Sequence, residues 1–346
     1  MLWSLLFGLR LHVYEEACHL VVAENETMEA YRKEAINFAK KPLGVLDFRY
    51  VSEPGHKGLA GAIARGEQSV EYRKPRPDMK TIRYTALRAF PDEDQSRCTA
   101  SVMNRLLDAL QGKLKSIPAW LPLEVYLQLP SEIDSALQID LWMESWRVRA
   151  LPAARIELLP ADVGLMALDS WLDHRGGPEL EKIVLIAAVQ THKDPPDNSA
   201  EAAVALLLGW PPTLARHGLQ SVALVHRPVQ SATDTVENGI SLAATWGDTD
   251  PDAIDHLWLS GLSLRNKAQV SLLAARSGLA ALQKPGLYDI DFAVGHAGVA
   301  ASWLALTLAI EYAIQMKVAQ MIACGEDALQ FAVVCFSIQH EKPEIK

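Results

Sequence analysis

The segment Lys182-Ile183-Val184-Leu185-Ile186-Ala187-Ala188-Val189 is a continuous apolar run bounded by polar residues, the pattern of a strand buried on both faces. A Pro/Asp-rich loop from His192 to Asn198 follows it. Next comes Ser199-Ala200-Glu201-Ala202-Ala203-Val204-Ala205-Leu206-Leu207-Leu208-Gly209, whose final glycine and flanking Pro211-Pro212 fit either a short helix or a second buried strand. On the other side, Pro160-Ala161-Asp162 opens a helix through Leu165, Met166, Leu168, Trp171 and Leu172, stopped at Gly176-Gly177-Pro178. Helix, buried strand and second apolar segment in succession are the rhythm of an α/β fold.

The same rhythm extends outward. Upstream, Thr27 as an N-cap begins an amphipathic helix to Lys41, and Val45 to Val51 alternates like a half-buried strand. Glu53 to Asp78 is rich in Gly, Pro and charge and reads as a long surface excursion. In it, Gly55-His56-Lys57-Gly58 could cradle an anion through backbone N–H groups, although such a loop without further support is ordinarily just a loop. Thr99 to Leu114 reads as a helix and Leu123 to Leu129 as a strand ended by Pro130. Downstream, Leu257 to Ser260 reads as a strand, Ala268 to Leu282 as a helix and Asp289 to Val294 as a strand. Val299 to Ala319 then reads as a long apolar helix and Leu329 to Phe336 as a closing strand. No fixed-period repeat and no Gly/Ser linker divides the chain. The expected arrangement is an N-terminal helix/strand region over 1–120, with its long loop, in one body with a core over 121–346.

Composition narrows the function classes. With 49% hydrophobic and 22% charged residues, the 346-residue chain can bury a substantial core. A formal charge of −9 argues against a nucleic-acid partner, which needs a basic face for phosphates. The four cysteines, Cys18, Cys98, Cys324 and Cys335, show neither metal-ligand spacing nor a disulfide framework, so no metal is expected and a cytoplasmic, reducing setting is. Met1 to Val13 is apolar but broken by Arg10 and His12, and too short to span a bilayer, which takes about 20 apolar residues. It lacks the basic start and small-residue cleavage site of a secretory signal. Two readings of it stand: a buried first helix or strand, and a peripheral or truncated membrane anchor that would add contact with the inner membrane. No other stretch reads as a membrane candidate. Phosphate-loop, H-E-x-x-H and G-x-S-x-G motifs are absent from the sequence.

Three segments resemble the condensing enzymes, the β-ketoacyl synthase or thiolase-like superfamily. They are Ala161 to Gly209, the closing strand, and Asp291-Phe292-Ala293-Val294-Gly295-His296-Ala297-Gly298-Val299-Ala300-Ala301-Ser302, which is similar to that superfamily's Gly-His-Thr-x-Gly-Ala-Ala-Gly turn. The resemblance implies a layered thiolase-like α/β fold of two related halves. Its chemistry needs a cysteine activated at a helix N-terminus and groups that stabilise an oxyanion. Pro160, Ala161 and Asp162 occupy the nucleophile's place, and Ser260-Gly261-Leu262-Ser263 stands where a first histidine belongs. His296 alone matches, and is expected to be vestigial or structural; Cys98 lies too early in the chain.

With strands Val125 to Pro130 and Ala187 to Gln190, the loop to Pro195-Pro196, and Gly295 to Ala300, the chain also resembles the type VI lipase adaptor family, degenerate thiolase-like proteins. That resemblance implies a non-catalytic adaptor or chaperone without a cofactor. Its partners would be a phospholipase effector and the type VI secretion spike protein, and it could form a homodimer as thiolase-like folds usually do. The alternative is an acyl-CoA or acyl-carrier condensing enzyme, or the inactive partner subunit of one. The Glu53–Asp78 and His192–Asn198 loops are the candidate contact regions.

Overall fold

The computed structural model describes residues 1–337 apart from 54, 76–78, 88–94, 233–234, 283–285 and 326–327. The chain divides into two compact units, Met1–Lys41 and Pro42–Lys346. The first is one helix, α1 (Leu2–Ala39). Thr27 sits inside it, its hydroxyl donating to the Ala23 carbonyl at 2.7 Å, and so caps nothing. The apolar start expected to be buried is helical, with Trp3 84% exposed.

The second unit begins with β1 (Leu43–Val51), α2 (Leu59–Ala64), β2 (Glu71–Arg73), β3 (Ile82–Thr85), α3 (Gln95–Lys115), β4 (Leu123–Gln128) and α4 (Ser135–Val148). It continues through β5 (Arg155–Leu158), α5 (Met166–Leu172), β6 (Ile183–Gln190), β7 (Ser199–Ala200), β8 (Ala202–Gly209) and α6 (Pro211–Arg216). The later part comprises β9 (Ala223–Val225), β10 (Val229–Ser231), α7 (Val236–Trp246), β11 (Ile254–Ser260), α8 (Leu264–Arg276) and β12 (Leu287–Asp289). It closes with α9 (Ile290–Val294), α10 (Ala301–Met316), β13 (Ala319–Cys324) and β14 (Leu329–Phe336).

Hydrogen bonding orders the main sheet β12-β11-β13-β14-β9-β1-β8-β6-β4-β5, with β10 on β14. The order falls into two halves joined where β9 meets β1. Going inward from each edge, β5-β4-β6-β8-β1 and β12-β11-β13-β14-β9 both pair parallel, parallel, antiparallel, antiparallel. In chain order, both run third, second, fourth, fifth, first. A helix in each half, α5 or α10, links the third strand to the fourth. Two related halves are thus present, although no sequence repeat announces them.

Alternation within the strands explains the layering. In β6, Val184, Ile186 and Ala188 enter a central core shared with α2, α5 and α10, while Ile183, Leu185, Ala187 and Val189 face an outer core with α3 and α4. In β13, Ile322 and Cys324 face the central core, and Met321 and Ala323 face α7 and α8. Strands covered on both sides need the continuous apolar runs that the sequence shows. β8 resolves the earlier ambiguity as a fully buried strand.

Several expectations are corrected. Asp289 to Val294 is not a strand: Asp289 caps α9 by accepting from the Phe292 N–H at 3.1 Å. The apolar helix ends at Met316, and Ala319 already belongs to β13. The Glu53–Asp78 excursion, of which 54 and 76–78 lie outside the described residues, holds the largely buried α2 and the strand β2. The helix expected from Pro160 starts only at Met166. Gly298–Met316 is long and apolar enough to cross a membrane, a candidate the sequence reading passed over; 61% of its window is buried in the core.

Candidate functional site

Each half turns sharply into its inner helix, through a glycine in the left-handed region: Gly164 with φ +51° and Gly298 with φ +49°. Each turn is completed by a glutamine from the other half. Gln330 of β14 accepts the Leu165 N–H at 2.9 Å, and Gln190 of β6 accepts the Val299 N–H at 3.0 Å. These side chains satisfy backbone donors that a helix start leaves without intrahelical partners. Gln128, at the end of β4, ties the turns together further. Its amide donates to the carbonyls of Pro160 and Ala161 at 2.8 and 2.9 Å, and its oxygen accepts from the Trp303 indole.

Between the turns lies a cavity of about 510 Å³, lined by Ala161, Asp162, Gly261, His296, Ser302 and Cys324 among others. A second, of about 690 Å³, shares Ala161, Gly298 and Val299 with it and extends to Glu132, His192, Lys193 and Asp194. The structure therefore brings His296 to the same place as the Pro160–Asp162 turn and the Ser260–Ser263 turn. Cys98 lies elsewhere, buried on α3 in the outer core.

The backbone of His296 is held at both ends, its N–H donating to the Asn198 carbonyl and its carbonyl accepting from the Ala200 N–H, each at 2.8 Å. The preceding Gly295, at φ +90°, permits this approach, since a Cβ there would lie 2.5 Å from the Ser199 oxygen. The imidazole edge lies beside Gly261, where an added Cβ would be 3.4 Å from Nε2. Asp291 holds the Ser260–Gly261 turn, accepting from the Ser260 hydroxyl and the Gly261 N–H at 2.8 Å each. Burial raises the Asp291 pKa against the opposing pull of His296 and Lys267.

Cys324 supplies a thiol to the cavity wall. It is fully buried, and burial, with the nearby Asp291 carboxylate, pushes its pKa up to about 12. A nucleophilic cysteine requires the reverse, a thiolate favoured by positive surroundings. Ala161 and Asp162 lie in the turn that leads into α5, ahead of its first residue, Met166.

The two candidate contact loops are anchored differently. Glu201 is buried and accepts from the His192 and Leu87 N–H groups at 2.9 Å each, pinning the start of the His192–Asn198 loop. Lys193, Asp194, Pro196 and Asp197 remain exposed. In the earlier stretch, Gly55-His56-Lys57-Gly58 leads into an anion site filled from within the protein. Glu311 of α10 accepts from the Gly58 N–H at 2.7 Å, the Ala60 N–H at 3.0 Å and the Tyr50 hydroxyl at 3.0 Å. Burial and Glu311 raise the Tyr50 pKa, so its phenol stays neutral and can donate.

No family model matches the sequence, and neither does any curated protein. Solved structures do. Ketosynthase twelve of the bacillaene polyketide synthase of Bacillus amyloliquefaciens superposes with a TM-score of 0.61 at 8% identity, over 86% of this chain and 74% of that one. A β-ketoacyl synthase from Burkholderia phymatum gives 0.59 at 11%, over 86% of this chain and 100% of that one. The ishigamide ketosynthase/chain length factor gives 0.59 at 13%, over 86% of this chain and 99% of that one. The protein has the thiolase-like fold of the ketosynthases.

Proposed function

We propose that this protein is a non-catalytic thiolase-like scaffold that works by binding another protein, as an adaptor that hands a lipase effector to a type VI secretion spike. The observation that supports the non-catalytic reading is the turn that leads into α5. Ala161 and Asp162 stand where the superfamily's chemistry requires an activated cysteine, and the cavity thiol, Cys324, has a pKa near 12. The His192–Asn198 loop supports the binding role. Its exposed charges border the open 690 Å³ depression, while its base is fixed by Glu201, giving a rigid rim able to recognise a partner. The lipase and spike assignments rest on the sequence resemblance.

A second reading is a condensing enzyme of acyl-CoA or acyl-carrier substrates, or its inactive partner subunit. It is favoured by the likeness to a ketosynthase/chain length factor. The experiment that separates these readings is a pull-down of the purified chain against the secreted phospholipases of its own genome, with His296→Ala alongside. Capture of one lipase, unaffected by the variant, supports the adaptor. Absence of capture together with selective alkylation of one cysteine by an acyl-like electrophile supports the enzyme.

A further inference from the structure

A separate cavity of about 280 Å³ lies between α5, β4 and β6. Its cause is the unequal length of the inner helices. α10 runs for 16 residues and covers its share of the central core, whereas α5 stops after 7 at Leu172, and Tyr126, Val184 and Ile186 line the cavity beside it. The walls are mainly apolar. Trp171 presents its ring, because its indole N–H is already spent on the Glu179 carbonyl at 2.7 Å.

Ser170, His174 and Glu179 contribute polar groups from its exposed side, and Lys182 contributes a buried one. Lys182, 7% exposed, gives two of its three ammonium donors to Glu124 and Glu179, each at 2.7 Å. Burial works against that charge, but the hydrogen bonds to the two glutamates outweigh it and raise the Lys182 pKa. The Tyr126 hydroxyl donates to Glu124 at 2.8 Å, so it is not available as a donor to an occupant. An ammonium has three donors, and Lys182 lines the cavity, so a third is available to an acceptor bound there. Two carboxylates around one ammonium leave a net negative charge, which disfavours an anion.

We propose that this cavity binds a small neutral molecule, apolar along its length with one acceptor oxygen, such as a medium-chain ketone or alcohol. At about 30 Å³ per water-sized unit, the volume holds roughly nine non-hydrogen atoms, the size of octan-2-one.

Calorimetric titration of octan-2-one into the full chain tests this, with octanoate as the charged comparison. Two variants block the cavity independently: Ala167→Phe fills it from α5, and Ser170→Trp plugs it from an exposed position that tolerates bulk. The expected result is saturable binding at one site per chain, weakened about tenfold or more by each variant, with octanoate weaker than the ketone. Absence of saturable binding, binding unchanged in Ser170→Trp, or tighter binding of octanoate would each overturn the proposal.

Discussion

The two halves of the sheet share strand order and pairing but differ in the helix each sends into the central core. α10 buries most of its 16 residues, from Ala301 to Ala313, whereas α5 buries only Leu168, Trp171 and Leu172. In the second half the helix is the core; in the first half it is a stub beside a cavity. The lesson is that topology is fixed by the strands, and the inner helix can shrink while the sheet persists.

Perturbing the paired glycines sharpens this comparison most. A methyl at Gly298 would lie 2.1 Å from the Gln190 oxygen and 2.4 Å from its Cδ, while a methyl at Gly164 would meet the Gln330 oxygen at 2.7 Å. Gly298→Ala should cost about 3 kcal/mol, combining left-handed strain with the loss of the Gln190–Val299 hydrogen bond. Gly164→Ala should cost about half as much, since its methyl comes no closer than 3.4 Å to the Gln330 Cδ whereas that at Gly298 also overlaps Cδ and Cγ of Gln190. Urea unfolding measures both, and equal costs would mean that the halves depend equally on their turns.

Glu311→Ala comes next. It strips the acceptor from two backbone N–H groups and the Tyr50 hydroxyl, with an expected loss of roughly 2–3 kcal/mol. Hydrogen exchange should show α2 losing protection before the sheet does. A smaller effect is expected at the stub itself. Arg227 donates to Asp169 at 2.8 Å, to Asp173 at 2.6 Å and to the Leu172 carbonyl at 2.5 Å, holding the C-terminus of α5 from the other half. Arg227→Met should cost about 2 kcal/mol and, because α5 walls the small cavity, alter ligand binding there.

The smallest effect is a change of slope. Because the Asp291 pKa is raised in the folded state, the native protein holds more protons than the unfolded one just above the ordinary carboxylate range, and stability from this group falls as pH rises through that window. Asp291→Asn does not titrate. Its stability relative to the parent should therefore improve from pH 4 towards neutrality, as read by denaturant midpoints; a constant difference would show that Asp291 does not titrate abnormally.

Much of the fold was legible because strands covered on both faces must be continuously apolar, as 183–189 and 202–208 are. The turn around His296 was legible for a related reason, since Gly295 and Gly298 are needed for close backbone approach and left-handed geometry. The misreadings have physical causes. Asp289 to Val294 has strand-like residues, but the Asp289 cap overrides propensity. The glycine-rich stretch after Glu53 resembled solvent-exposed loop because the carboxylate that orders it, Glu311, lies 253 positions away from Gly58. The site's glutamines, Gln128, Gln190 and Gln330, carried one weak signal: each is a polar residue at the end of an apolar strand. Nothing local to them reveals which backbone they complete across the molecule.

The exchange of glutamines between the halves governs how the chain comes apart. Cutting it in the connection between β8 and β9 would leave each fragment with a helix start missing its acceptor and with five or six strands of the main sheet ending in a newly exposed inner edge. Neither fragment is then a folding unit. Pro42 to the last strand should melt in a single cooperative transition, and a split protein should regain structure only when both pieces are present together.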